Sequence, residues 1–132
     1  MQIFELHFNP KAKNDYTFET FLHEPENTSE RKLGGLYQAG EIKNAIPKKS
    51  LDFLAGISKT IRKSYYSADT KEQEKALLFA LKKANEHLSD EIKTGNVNWL
   101  GNLNFTALSV KESELAFTVS GDIKVVLIRR GK

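Results

Sequence analysis

Carboxylates and histidines are the residues from which chemistry would have to be built here, because this chain of 132 residues contains no cysteine. That absence removes a thiol nucleophile, a thiolate zinc site and any disulfide framework, and it suits a reducing compartment. His7, His23 and His87 lie far apart, with no H-x-x-x-H pair to set two imidazoles on one helix face around a metal. Glu24, Glu26 and Glu30 form an acidic stretch, but it lacks the alternating oxygen ligands of a calcium loop and reads as a solvated loop. Asp15 follows Asn14 and Asp122 follows Gly121, contexts in which a short carboxylate side chain closes a tight reversal by bonding nearby backbone. Gly34, Gly35 and Gly40 belong to no G-x-x-x-x-G-K-[ST] phosphate loop and are expected to ease the start of a helix. No G-x-S-x-G presents a serine nucleophile.

The charge balance, 20 basic against 17 acidic residues for a net +3, describes a mixed surface rather than a polyanion binder. Basic residues gather at Lys43, Lys48 and Lys49, at Lys59, Arg62 and Lys63, and at Arg129, Arg130 and Lys132. They read as solvated faces. A nucleic-acid-binding module is the function they would otherwise serve, although no aromatic residues interleave with them and no nucleic-acid motif is present. Trp99 is expected to anchor its loop against the sheet or a helix.

The elements that must position these residues follow from periodicity. The length predicts one domain over 1–132, and no apolar run is long enough for a membrane span, so a cytoplasmic protein with no membrane partner is expected. Alternation predicts strands over 2–8 and Tyr16–His23, followed by a polar loop over 24–32. Leu36, Ala39 and Ile42 suggest a short helix after the glycine pair, stopped by Pro47. Ser50 is placed to cap a second helix carrying Leu54, Ile57, Ile61 and Tyr65. Asp69 or Thr70 is placed to cap a third, carrying Leu77, Leu81, Ala84, Leu88 and Ile92, with Gly95 closing it.

The period then changes to two, predicting strands over 103–110, 115–120 and 123–129 joined by reversals at 111–114 and Gly121-Asp122. Phe105, Ala107, Phe117, Val119, Ile123, Val125 and Leu127 are assigned to one apolar face, and Leu108, Val110, Ala116, Val126 and Ile128 to the other. A sheet apolar on both sides must be covered on both. The fold class read from this is α+β, with antiparallel sheet and helices packed outside.

Several segments taken in order resemble a known family. Asn104-Phe105-Thr106-Ala107, Leu115-Ala116-Phe117-Thr118-Val119-Ser120-Gly121-Asp122 and Val126-Leu127-Ile128-Arg129-Arg130-Gly131-Lys132 are similar to the hairpin series of the metal-dependent PPM (type 2C) protein phosphatases, G-S-T-A, L-x-V-A-N-V-G-D-S-R and Y-L-I-R-x-G-K. Ala80-Leu81-Lys82-Lys83-Ala84-Asn85 resembles the A-x-x-x-A-N segment of the preceding helix, Leu33 to Glu41 resembles D-G-M-G-G-H-x-x-G-E, and Asn14-Asp15 a remnant of N-E-D. The resemblance implies an α/β/β/α sandwich in which two antiparallel sheets stack, of which this chain would supply an incomplete part.

It also implies chemistry that these residues do not restore. Family catalysis uses Mg²⁺ or Mn²⁺ bridged by aspartates, which lower the pKa of bound water. With Gly34-Gly35 aligned, Arg31 stands at the bridging aspartate and Lys32 at the adjacent glycine, so a cation replaces a ligand for a cation. Asp15 and Asp122 are the two metal-site candidates that remain, with Ile123 and Lys124 in place of the family's Ser and Arg. The resemblance therefore implies a pseudophosphatase: a regulatory or interaction module without catalytic residues or a cofactor, covering its sheet with a protein partner, a carboxy-terminal half or a homodimer. The alternative is half of an active Mg- or Mn-dependent serine/threonine phosphatase completed by further chain or a partner.

Overall fold

Strand periodicity wins in the stretch where helical spacing had been expected. The computed structural model describes residues 2–7, 16–44 and 47–131. In it the elements run β1 (Tyr16–His23), α1 (Thr28–Arg31), β2 (Gly35–Lys43), α2 (Pro47–Ser67), α3 (Gln73–Lys93), β3 (Leu103–Lys111) and β4 (Glu114–Ser120). This is an α+β fold with one open sheet in the order β1-β2-β3-β4, antiparallel throughout.

The stretch after Gly34 is therefore strand β2, not a short helix. Leu36, Gln38, Gly40 and Ile42 alternate toward the helices, and Tyr37, Ala39 and Glu41 toward the other face. Two glycines would each weaken a helix by about 1 kcal/mol, whereas β2 gains a partner strand on both edges. Gly34 takes φ +78, and a Cβ there would collide with the Val110 carbonyl. The glycine pair thus turns the chain into a strand rather than into a helix.

Helices α2 and α3 form an antiparallel pair on one face. Pro47 begins α2, a position where its missing N–H costs nothing, and Ser50 lies inside the helix rather than capping it. Leu54, Ile57, Ile61 and Tyr65 of α2 meet Ala76, Leu77, Ala80 and Ala84 of α3 over Leu36, Ile42, Phe105 and Ala107 of the sheet. Burying a large apolar side chain of this kind contributes about 1.5–3 kcal/mol, and the α3 alanines let the two helices lie close. Glu72 precedes α3 without a side-chain cap; the Thr70 hydroxyl instead accepts from the Glu72 amide at 3.1 Å. Gly95 ends the helix with φ +87, as its position after the stripe implied.

One polar knot pins the layers together. Tyr65 OH donates to the Leu33 carbonyl at 2.8 Å and meets Ser109 Oγ at 2.5 Å, and Gln73 Nε2 donates to the same Ser109 Oγ at 2.7 Å. Every group in it has a partner, so burial adds specificity without an orphan.

Two expected strands are not formed. Residues 2–7 make no strand, although Glu5 and His7 touch Thr20 of β1, and residues 123–129 follow β4 without pairing as a strand. No described helix is long and apolar enough to cross a membrane.

Candidate functional site

The face of the sheet away from the helices leaves apolar side chains of β4 exposed, while Glu5 and His7 lie over its β1 side on Thr20 and Phe18. The β3–β4 reversal is a two-residue loop, Glu112-Ser113, with Lys111 opposite Glu114. That register sets an odd position of one strand against an even position of the other: Leu108 faces Phe117, Val110 faces Leu115 and Thr106 faces Val119. Phe117 and Val119 thus join Leu108 and Val110 on the open face, while Ala116 joins Phe105 and Ala107 on the helix face. This corrects the assignment made from alternation alone, which placed Phe117 and Val119 with Phe105 and exchanged Ala116. Leu22, Leu115, Phe117 and Val119 are 43%, 45%, 52% and 44% exposed. Beyond β4, Val126 and Ile128 are 75% and 89% exposed.

At one end of this face a hydrogen-bonded cluster surrounds Glu41. Tyr16 OH donates to one of its carboxylate oxygens and Asn104 Nδ2 to the other at 2.6 Å. Asn104 Oδ1 accepts from the Asp122 amide at 3.0 Å, and Asp122 Oδ2 lies 3.5 Å from Lys43 Nζ. The bond to the Glu41 carboxylate, with burial and the adjacent negative charge, pushes the Tyr16 phenol up to about 12. Gly121, at φ +83, packs against Asn104 so closely that a Cβ would collide with its amide. Asp122 therefore uses its backbone N–H rather than its carboxylate at this bend, contrary to the side-chain role its Gly-Asp context suggested, and its carboxylate faces Lys43.

This donor set does not suit Mg²⁺ or Mn²⁺. Both Glu41 oxygens accept from uncharged donors, an ammonium stands at Asp122, and among the described residues no three metal-binding side chains converge. Asp15 lies outside the described residues; Tyr16, next to it in sequence, is opposite Lys43. Arg31 and Lys32 are elsewhere, ahead of the other end of β2, so nine residues of strand separate them from the Asp122 end. Glu41, which sequence reasoning passed over as part of a glycine-rich signature, is the carboxylate that the fold brings beside Asp122. Its alternation with Tyr37 and Ala39 was the available signal.

The histidines are dispersed, as their spacing implied. His7 meets Thr20 Oγ1 at 3.0 Å, His23 meets Glu30 Oε2 at 3.0 Å, and His87 lies 4.0 Å from Glu91. Backbone donation from Glu26 and the His23 side chain hold the Glu30 carboxyl below its usual range. The acidic stretch is thus a closed loop with a short helix, capped by Asn27 on the Glu30 amide at 2.9 Å. Trp99 anchors its loop as expected, stacked on Phe53 with centroids 5.6 Å apart, and it borders a cavity of about 610 Å³ between the start of α2 and the end of α3.

Comparison with protein-family models, with curated proteins and with solved structures finds no match to this chain.

Proposed function

We propose that this chain is a PPM-phosphatase-like interaction module, a pseudophosphatase that acts by stacking the open face of its sheet on a second sheet. The observation that carries this reading is the exposed apolar group Leu115, Phe117 and Val119 of the edge strand β4 on the helix-free side of an antiparallel sheet. A helix layer on one face and exposed apolar side chains of β4 on the other are what half of the α/β/β/α arrangement implied by the sequence resemblance would leave. Exposed contiguous apolar surface of this kind marks association sites. A second copy of the chain is the simplest source of the second sheet, because a two-fold axis lets the same row meet itself.

The chemistry of the Glu41 cluster supports the inactive side of the reading. With Lys43 at Asp122 and Arg31 a strand's length away, Asp15 and Asp122 remain vestigial candidates rather than a working pair. The test is turnover of an aryl phosphate and a phosphopeptide with Mn²⁺ or Mg²⁺. No metal-dependent turnover is expected; turnover abolished by Asp122→Ala would overturn the proposal.

A further inference from the structure

Strand β4 ends the sheet, and among the described residues its outer edge has no paired neighbour. Backbone N–H and C=O groups along such an edge are free to take a further strand. Helix α3 lies over this side of the sheet, packed on β3 and β4, while α2 packs on β1 and β2. The start of α3 is pinned near Ala116 of β4, because Gln73 bonds Ser109, the residue opposite Ala116. On the flank of α3 away from His87, which faces Gly56 of α2, Leu78, Leu81, Leu88 and Ile92 recur at helical steps. Leu78 and Ile92 are 56% and 43% exposed, so α3 carries apolar surface that the four strands leave uncovered.

The chain itself holds a segment that fits this slot. After Gly121-Asp122, a two-residue reversal of the length that joins paired strands, residues 123–129 alternate and are rich in β-branched residues, yet they make no backbone hydrogen bond among the described residues. Their burial already has the parity of a strand: Ile123 and Val125 are half-buried, and Lys124 and Val126 are exposed. Continued from a Ser120–Ile123 pair, an antiparallel register sets Val125 against Thr118, Leu127 against Ala116 and Arg129 against Glu114. Thr118 and Ala116 belong to the helix face, so Val125 and Leu127 come under the uncovered flank of α3. The same register brings Arg129 to the end of the slot where Glu74, Glu112 and Glu114 are exposed and, among the described residues, form no ion pair.

We propose that residues 123–129 dock on β4 as a fifth strand and carry Val126 and Ile128 onto the open face, beside Phe117 and Leu115. Docked alone, the strand is covered only on its α3 side, and ordering an extended segment costs conformational entropy. A second sheet over the open face covers Val126 and Ile128 as well, so association and docking favour each other. That coupling rests on the stacking reading above; the docking does not.

The test uses cysteine pairs, which this cysteine-free chain reports without background. Ala116→Cys with Leu127→Cys sets two thiols directly opposite, whereas Ala116→Cys with Val126→Cys sets them on opposite faces. In dilute oxidising solution the first pair is expected to close within one chain at least tenfold faster than the second. Leu78→Ser, at an exposed position on α3, is expected to slow that closure. Equal rates for the two pairs, or a disulfide that forms only between chains, would overturn the docking. Hydrogen exchange of the native chain across a concentration series reads the coupling. Amides of 126–129 are expected to exchange at least tenfold more slowly as the dimer forms, a change lost in the Phe117→Ser, Val119→Ser variant. A dimer that leaves those amides unprotected would overturn the coupling and leave stacking intact. A disulfide that closes in a chain remaining monomeric would uphold the docking and count against stacking alone.

Discussion

Glu41 shows how one residue organises an end of the sheet. Its carboxylate takes Tyr16 on one side and Asn104 on the other, and Asn104 in turn holds the amide of Asp122. All four tyrosines of the chain are shifted upward: Tyr16 chiefly by its bond to Glu41, and Tyr37, Tyr65 and Tyr66 chiefly by burial. A phenol with a higher pKa folded than unfolded adds stability that is complete below the unfolded value, 10.0, and is lost as pH climbs through the folded value, about 12 for Tyr16. Absorbance titration of the native chain should therefore show no tyrosinate at pH 10, and Glu41→Gln should move the Tyr16 step downward. Ionisation of Tyr16 near 10 in the folded protein would contradict the Glu41 cluster, and ionisation of Tyr65 there would contradict the buried knot. Within that knot, Tyr65→Phe removes two bonds while the Leu33 carbonyl keeps Ser109 Oγ and Ser109 keeps Gln73, at a cost of about 0.5–1.5 kcal/mol in denaturant unfolding.

Elements were legible where one period was unopposed. Helices α2 and α3, the reversal at 111–114 and strands β1, β3 and β4 follow the spacing of their apolar residues. β2 did not, because Leu36, Ala39 and Ile42 satisfy a helical step while Leu36, Gln38, Gly40 and Ile42 satisfy a strand step. Only the flanking strands decide between them, and these are far away in sequence. The face of β4 was misread for a related reason: alternation fixes parity within a strand, but the loop length fixes it between strands. The outer segments 2–7 and 123–129 alternate as strands do, yet alternation supplies no neighbour to pair with. Two substitutions separate the layers. Leu54→Ala, at a fully buried position on α2, should cost about 2–5 kcal/mol. Phe117→Ser, half exposed on the open face, should leave the unfolding free energy of the isolated chain within about 0.5 kcal/mol while weakening association. A large loss for Phe117→Ser under dilute conditions would mean that the chain covers this face itself.

At the scale of the whole molecule, the sequence made the doubly apolar sheet visible and with it the need for a second layer; which side chains stand bare required the β3–β4 register. The candidate metal positions were less legible, because motif alignment on Gly34-Gly35 says nothing of distance in the fold, where the nine residues of β2 separate Arg31 and Lys32 from the Asp122 end. Calorimetry with Mn²⁺ should give no heat of binding for the native chain, and Lys43→Ala should not create a site, since Glu41 remains engaged by Tyr16 and Asn104. The most direct measurement is sedimentation velocity across a concentration series, run on the native chain and on a Phe117→Ser, Val119→Ser double variant. Concentration-dependent growth to twice the chain mass, abolished in the double variant, is the expected result. A native chain that stays monomeric at high concentration and leaves a hydrophobic dye unbound would contradict an interaction role for the open face.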